Sequence, residues 1–186
     1  DDQVEINQAI QDLPADGGEI IILDGTYNIG ARIDVNKNNV TIRGNGDATL
    51  LKRMWDSDSE EGVITLNSVN NCKIENLQID GNKSAFTSLN NHGIYMFFSS
   101  NNTVAGNTCY NNNTDGICLH DSYNNTVTGN TCYNNRSGIY LIASSNNAIT
   151  GNICYNNDSG IDLDYGARSY NNTVTGNTCY NNRSGI

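Results

Sequence analysis

A unit of about 22 residues recurs along this chain, and no other feature constrains the fold as tightly. Gly-Asn begins at positions 106, 129, 151 and 176, at intervals of 23, 22 and 25, and Gly-Ile begins at 93, 116, 138, 160 and 185. The full unit reads NNTVTGNTCYNNRSGIYL with small variations, and more degenerate copies surround Val40 to Asn45 and Ile74 to Ile79. Each copy holds short apolar alternations such as Ile139-Tyr140-Leu141, Ala148-Ile149-Thr150 and Ile153-Cys154-Tyr155, separated by Asn, Ser and Gly. Asn pairs and Gly interrupt every window in which a helix would need sustained apolar spacing. Three short strands joined by turns describe one triangular coil of an all-β solenoid.

Stacked coils pair their strands in parallel at about 4.8 Å, so each side chain sits on its counterpart one repeat later. The expected architecture is a right-handed parallel β-helix with three strands per coil. Asn45, Asn107, Asn130, Asn152 and Asn177 are predicted to share the tightest turn in left-handed backbone conformation as an amide ladder, with Leu77 interrupting it. Cys109, Cys132, Cys154 and Cys179 follow two residues later, where Ile79 stands in an earlier coil, and should form an interior column of thiols behaving as small apolar residues. Disulfides between adjacent coils are allowed by the spacing alone, and the absence of CxxC argues against a zinc site of that type. Tyr110, Tyr133, Tyr155 and Tyr180 should face outward as a strip. Such a strip serves sugar rings, another protein, self-association or simply its own stacking.

Composition agrees: 34 Asn and 18 Gly against a single Pro mean turns built on Asn and Gly. The net charge of −10 argues against nucleic acid or an anionic membrane as partner. Residues 1–85 carry 15 of the 20 acids and 7 of the 10 bases, so the repeat half is nearly uncharged. No apolar run reaches the roughly 18 residues of a membrane span. Arg183 to Ile186 open a further repeat, which predicts that the natural chain continues. Asn-x-Ser/Thr sequons such as those at Asn101, Asn124 and Asn157 weakly favour a glycosylated surface protein.

On these repeats the chain resembles the pectin-lyase-like superfamily, specifically surface proteins of archaea and bacteria with NosD-type (PbH1) β-helix repeats. The opening DDQVEINQAIQDLPADGGEIIILDGTYNI is similar to that family's N-terminal cap, with Val4, Ile6, Ala9, Ile10 and Leu13 on one helical face and Pro14 ending the helix. The expected organisation is a cap helix and lead-in over 1–18 and a β-helix over 19–186. The resemblance implies an extracellular or cell-surface location, a polysaccharide partner, and a groove along the Gly-Ile strands. Polygalacturonase and pectate-lyase signatures are missing, while Leu119-His120-Asp121 resembles part of the Asp-Pro-His-Asp run of alginate epimerases.

Two long insertions, Lys52 to Glu61 and Asn82 to His92, lead into that groove. The first carries the only Trp, Trp55, beside Lys52 and Arg53, a set suited to stacking a sugar ring and binding its carboxylate. His92, Tyr95 and Asp121 complete the expected substrate-binding residues. Ile161 and Leu163 should point inward, leaving Asp162 and Asp164 outward and about 7 Å apart. Tyr140 is one coil from Asp162, and His120 two coils, about 10 Å, from Asp164. Asp162, Asp164, His120 and Tyr140 are thus the catalytic candidates. Paired carboxylates serve inverting glycoside hydrolysis or hold Ca²⁺, whereas Tyr140 or His120 could exchange a proton beside a uronate carboxylate. Two functions follow: a protein that binds, and cleaves or epimerises, an acidic uronic-acid-containing polysaccharide, or a non-catalytic structural or adhesive surface repeat.

Overall fold

The computed structural model describes residues 2–164 and 169–186. Among these, the strands form two parallel sheets, one of 12 strands and one of six. Each regular coil contributes one strand to the six-stranded sheet and two to the larger one, as in Asn91–Phe97, Thr103–Ala105 and Thr108–Tyr110. Strand Asp115–His120 then pairs in parallel with Asn91–Phe97, which closes the coil. Repeats of 22 to 25 residues therefore stack in register, as the alignment Cys109, Cys132, Cys154, Cys179 shows.

Corners follow one rule. A residue with positive φ turns the backbone, and the next residue points inward and bonds the coil beneath it. Gly106, Gly129, Gly151 and Gly176, with φ of 64 to 66°, precede Asn107, Asn130, Asn152 and Asn177. The left-handed conformation thus belongs to the glycine rather than to the ladder asparagine, because the Asn side chain is needed inside. The Asn130 Oδ1 accepts from the Asn107 backbone N–H at 2.9 Å, and its amide donates to the Val104 carbonyl at 2.9 Å. Equivalent ladders run through Asn102, Asn125, Asn147 and Asn172 and through Asn112, Asn135, Asn157 and Asn182. At the fourth corner Ser99, Ser122 and Ser144 play this part. Buried backbone donors at the corners, which no sheet can satisfy, are paired in this way.

Asn45 departs from its expected place. It is exposed and bonds Asp24, because the strand Val40–Arg53 shifts register around Gly46, which lies opposite Leu77. Leu77 does stand at the ladder's end, its backbone N–H donating to Asn107 Oδ1 at 3.1 Å.

Cys109, Cys132 and Cys154 are buried, Cys179 is partly covered in the last coil, and all are free thiols. The tyrosine column stacks outside with ring centroids 4.9, 4.9 and 5.1 Å apart. Helix Gln3–Asp12 closes one end with Ile6 and Ile10 buried. Val4, expected on that face, is 58% exposed; Gln3 is buried instead, its Oε1 accepting the Gly30 N–H at 2.8 Å. A polar side chain fits there because the open strand edge beneath the cap presents an unpaired donor.

Candidate functional site

The outer face of the six-stranded sheet collects the chemistry-bearing side chains. Its strands are Ile33–Val35, Glu61–Asn67, Asn91–Phe97, Asp115–His120, Ser137–Ile142 and Ser159–Leu163. Parallel register sorts the outward residues into columns, one running Thr65, Tyr95, Cys118, Tyr140, Asp162 and the next Asn67, Phe97, His120, Ile142. A third is headed by His92 and Asp115, each just before a Gly-Ile pair, where later coils carry Ser137 and Ser159. Glycine is required at 116, since a Cβ there would come within 2.7 Å of the Gly138 carbonyl oxygen.

The expected catalytic quartet separates into two groups. His120 Nδ1 lies 2.8 Å from the Tyr95 hydroxyl, which is 3.2 Å from Glu60 Oε2, and His120 Nε2 is 3.7 Å from Asp121 Oδ2. Ile142 follows His120 in its column, so the imidazole meets Tyr95 and Glu60 rather than Asp164. In the second group the Tyr140 hydroxyl donates to Asp164 Oδ2 at 3.4 Å, and the Arg136 guanidinium lies 5.5 Å from the Tyr140 ring centroid. Tyr140 is pushed up to about 12, first by burial and then by Asp164. Asp162 is raised above the usual carboxylate range by burial and by the charge of Asp115, with Arg136 opposing. Tyr95, 4% exposed, is raised further still, chiefly by burial, and stays protonated.

The first insertion does not reach the groove as expected. Arg53 is fully buried, its guanidinium donating to Asn91 Oδ1 at 3.0 Å and to the His92 carbonyl at 2.9 Å. Burial lowers its pKa to about 10, with Glu61 and Asp56 opposing. Trp55 covers it, ring centroid 3.8 Å from the guanidinium carbon, and donates from Nε1 to Glu61 at 2.8 Å. Lys52 pairs with Asp80 in the larger sheet, in line with Tyr110, on a different side of the coil. Asp56 ties the two insertions together by accepting from the backbone of Ser88 at 2.9 Å and from the Asn91 amide at 2.9 Å. These insertions therefore form a strapped wall beside the sheet, and Glu60 is the residue they deliver to the face.

Sequence reasoning passed over Glu60, Asp115, Cys118 and Arg136. Asp115 and Cys118 had a signal: they break the repeat, standing where other coils carry Ser and Tyr or Asp. His92 is 2% exposed and lies 3.3 Å from Asp115 Oδ2, and it stacks on Tyr95 at 5.0 Å, so both of these expected binding residues lie beneath the outer surface of the sheet. Burial raises the Cys118 thiol well above its ordinary value. Asp162 and Asp164 are hard-oxygen donors on an acidic face, which suits Ca²⁺, although among the described residues no third His, Cys, Asp or Glu side chain joins them.

Comparison with known proteins gives the fold. A protein of Geobacillus virus E2, the product of open reading frame 18, superposes with a TM-score of 0.71 at 19% identity over 94% of this chain and 38% of that one. A Parabacteroides merdae protein provisionally named a glycosyl hydrolase gives a TM-score of 0.76 at 18% identity, covering 91% and 87%. The A-module of an Azotobacter vinelandii mannuronan C-5 epimerase gives 0.62 at 20% identity, covering 87% and 55%. This chain thus spans well under two thirds of the viral protein and about half of the epimerase module. No curated protein matches the sequence. The family model for the right-handed beta helix region matches residues 61–186, two thirds of the chain, and with the stacked parallel coils this places the protein in the right-handed β-helix family.

Proposed function

We propose that this chain is an extracellular or cell-surface β-helix that binds an acidic, uronate-containing polysaccharide along the outer face of the six-stranded sheet and moves a proton at a uronate ring carbon. The observation that carries this reading is the hydrogen-bonded row Glu60, Tyr95, His120. With hydrogen on Nδ1, His120 donates to the Tyr95 oxygen and the Tyr95 hydroxyl donates to Glu60, which leaves Nε2 unprotonated as a base. Once Nε2 takes a proton, Asp121 at 3.7 Å and Glu60 through Tyr95 stabilise the imidazolium. Tyr140, neutral at physiological pH, is the donor on the same face. Carboxylates at 60, 121, 162 and 164 would repel a polyuronate, so Asp162 and Asp164 are assigned to a Ca²⁺ that neutralises the polymer's charge there. The likeness in fold to an epimerase module supports this reading.

A second reading, a non-catalytic adhesive or structural solenoid, is favoured by the outward-facing, half-buried tyrosine stack and the near-identical coils. Incubation with alginate, pectate and chondroitin-type polymers in D₂O, with and without Ca²⁺, separates the two. Expected are deuterium uptake at C5 or unsaturated uronate, dependence on Ca²⁺, and a loss of about 10²-fold or more in His120→Gln. Polymer binding with neither product nor exchange would leave the adhesive reading standing and remove the catalytic one.

A further inference from the structure

Under the groove face lies a cluster that the proton-transfer reading does not use. His92 and Asp115 occupy equivalent positions on adjacent strands, and Cys118 follows Asp115 on the same strand; all three are 0 to 2% exposed. Their ligand atoms, an imidazole nitrogen, a carboxylate oxygen and the thiol sulfur, lie within 4.8 Å of one another. Both His92 nitrogens and both Asp115 oxygens are buried without a hydrogen-bond partner. The 3.3 Å approach of Nδ1 to Oδ2 does not form a hydrogen bond. Four buried polar atoms left unsatisfied in one place are costly. A chain whose corners satisfy their buried donors so thoroughly would not be expected to leave these empty.

We propose that His92, Asp115 and Cys118 form a binding site for one Zn²⁺ ion. The donor set is that of zinc: one nitrogen, one oxygen and one sulfur of borderline softness, unlike the all-oxygen sets of Ca²⁺ and Mg²⁺. With bonds of about 2.0–2.1 Å to nitrogen and oxygen, two corners of a zinc tetrahedron stand about 3.3–3.4 Å apart. That is the His92 to Asp115 separation already present, and the Cys118 sulfur, whose tetrahedral separation from either would be about 3.6 Å, has to close by at most about 1.2 Å. Coordination releases the thiol proton to solvent and leaves a thiolate on the ion. The fourth position falls to water.

Arg136 is the group that competes, its Nε 3.6 Å from Asp115 Oδ1. Its side chain is 52% exposed, so it can swing into solvent when the ion arrives. Glu60 and Asp162 add negative charge from the neighbouring elements, which favours a cation. Neither Asp162 nor Asp164 is needed, so this site and the Ca²⁺ assignment above are independent. The cysteine column Cys109, Cys132, Cys154 and Cys179 is the rival sulfur source, since it faces the interior of the coil.

The whole chain, stripped with EDTA and dialysed, is titrated with Zn²⁺ by calorimetry and with Co²⁺ by absorption. One ion per chain, a thiolate-to-cobalt charge-transfer band and a raised Tm are expected. Cys118→Ser should remove the band and His92→Gln should weaken binding at least tenfold, while Cys132→Ala keeps both. Zinc absorption fine structure on the unsubstituted protein, which needs no variant, should show one sulfur near about 2.3 Å and lighter neighbours near about 2.0 Å. No stoichiometric binding, a shell without sulfur, or a band that survives Cys118→Ser and disappears in Cys132→Ala would overturn the site.

Discussion

Asp162 stands where earlier coils carry Tyr140, Cys118 and Tyr95, and its surroundings oppose its charge. Because its folded pKa lies above the unfolded value, its contribution to stability is complete below the ordinary Asp range near about 3.9 and is lost as pH rises through the raised value. Asp162→Asn removes that loss. In EDTA at pH 7 the variant should be more stable by about 0.5 kcal/mol or less, a small figure because the group is half-exposed and screened. Thermal unfolding near pH 3 should show the difference gone. At this scale the sequence was informative wherever a residue broke the repeat, as Asp162 does. Arg53 offered no such warning, because its fate depends on Asn91 and His92, some forty positions away.

The two insertions act as one element because of Asp56. Its carboxyl is held below the usual range, first by the Ser88 backbone N–H, with Asn91 and Thr87 adding to it. A depressed pKa contributes stability above the unfolded value and loses it as pH falls through the folded one. The Ser88 amide should therefore keep its hydrogen-bonded chemical shift down to a pH below about 3.9 and lose it only there. Asp56→Asn should free segment 82–90 at pH 7, read as faster amide exchange at Thr87 and Ser88. Both insertions were visible as breaks in the period, but their path was not, since neither repeats. The result was that Lys52 and Trp55 were expected at the substrate while Glu60, one residue short of the next strand, is the side chain that arrives.

At the scale of the molecule, stability belongs to neighbouring coils rather than to single residues. Asn130 is sandwiched, accepting from Asn107 and donating to Asn152 Oδ1 at 3.0 Å, and the same pattern continues to Asn177, which accepts from Asn152 and donates to the Ile149 carbonyl. Asn130→Ala should cost about 2–4 kcal/mol, measured by urea unfolding, because it leaves buried groups of both neighbouring coils without their partner. A cost no larger than that of one ordinary hydrogen bond, about 1 kcal/mol, would mean that the ladder is not cooperative across coils.

A period of about 22 residues was enough to determine the solenoid, the interior thiol column and the outer tyrosine stack, because each of these joins a residue to its own copy one coil away. The tertiary structure alone decided that Glu60 meets Tyr95 and His120, that Arg53 turns inward, that Asn45 leaves the ladder, and that His92, Asp115 and Cys118 converge. Apart from His92 and Asp115, which hold equivalent positions one coil apart but differ in residue type, those contacts join residues that are not copies of one another, across insertions and register shifts with no period. Repetition encodes what stacks, and packing of the unrepeated parts decides what meets.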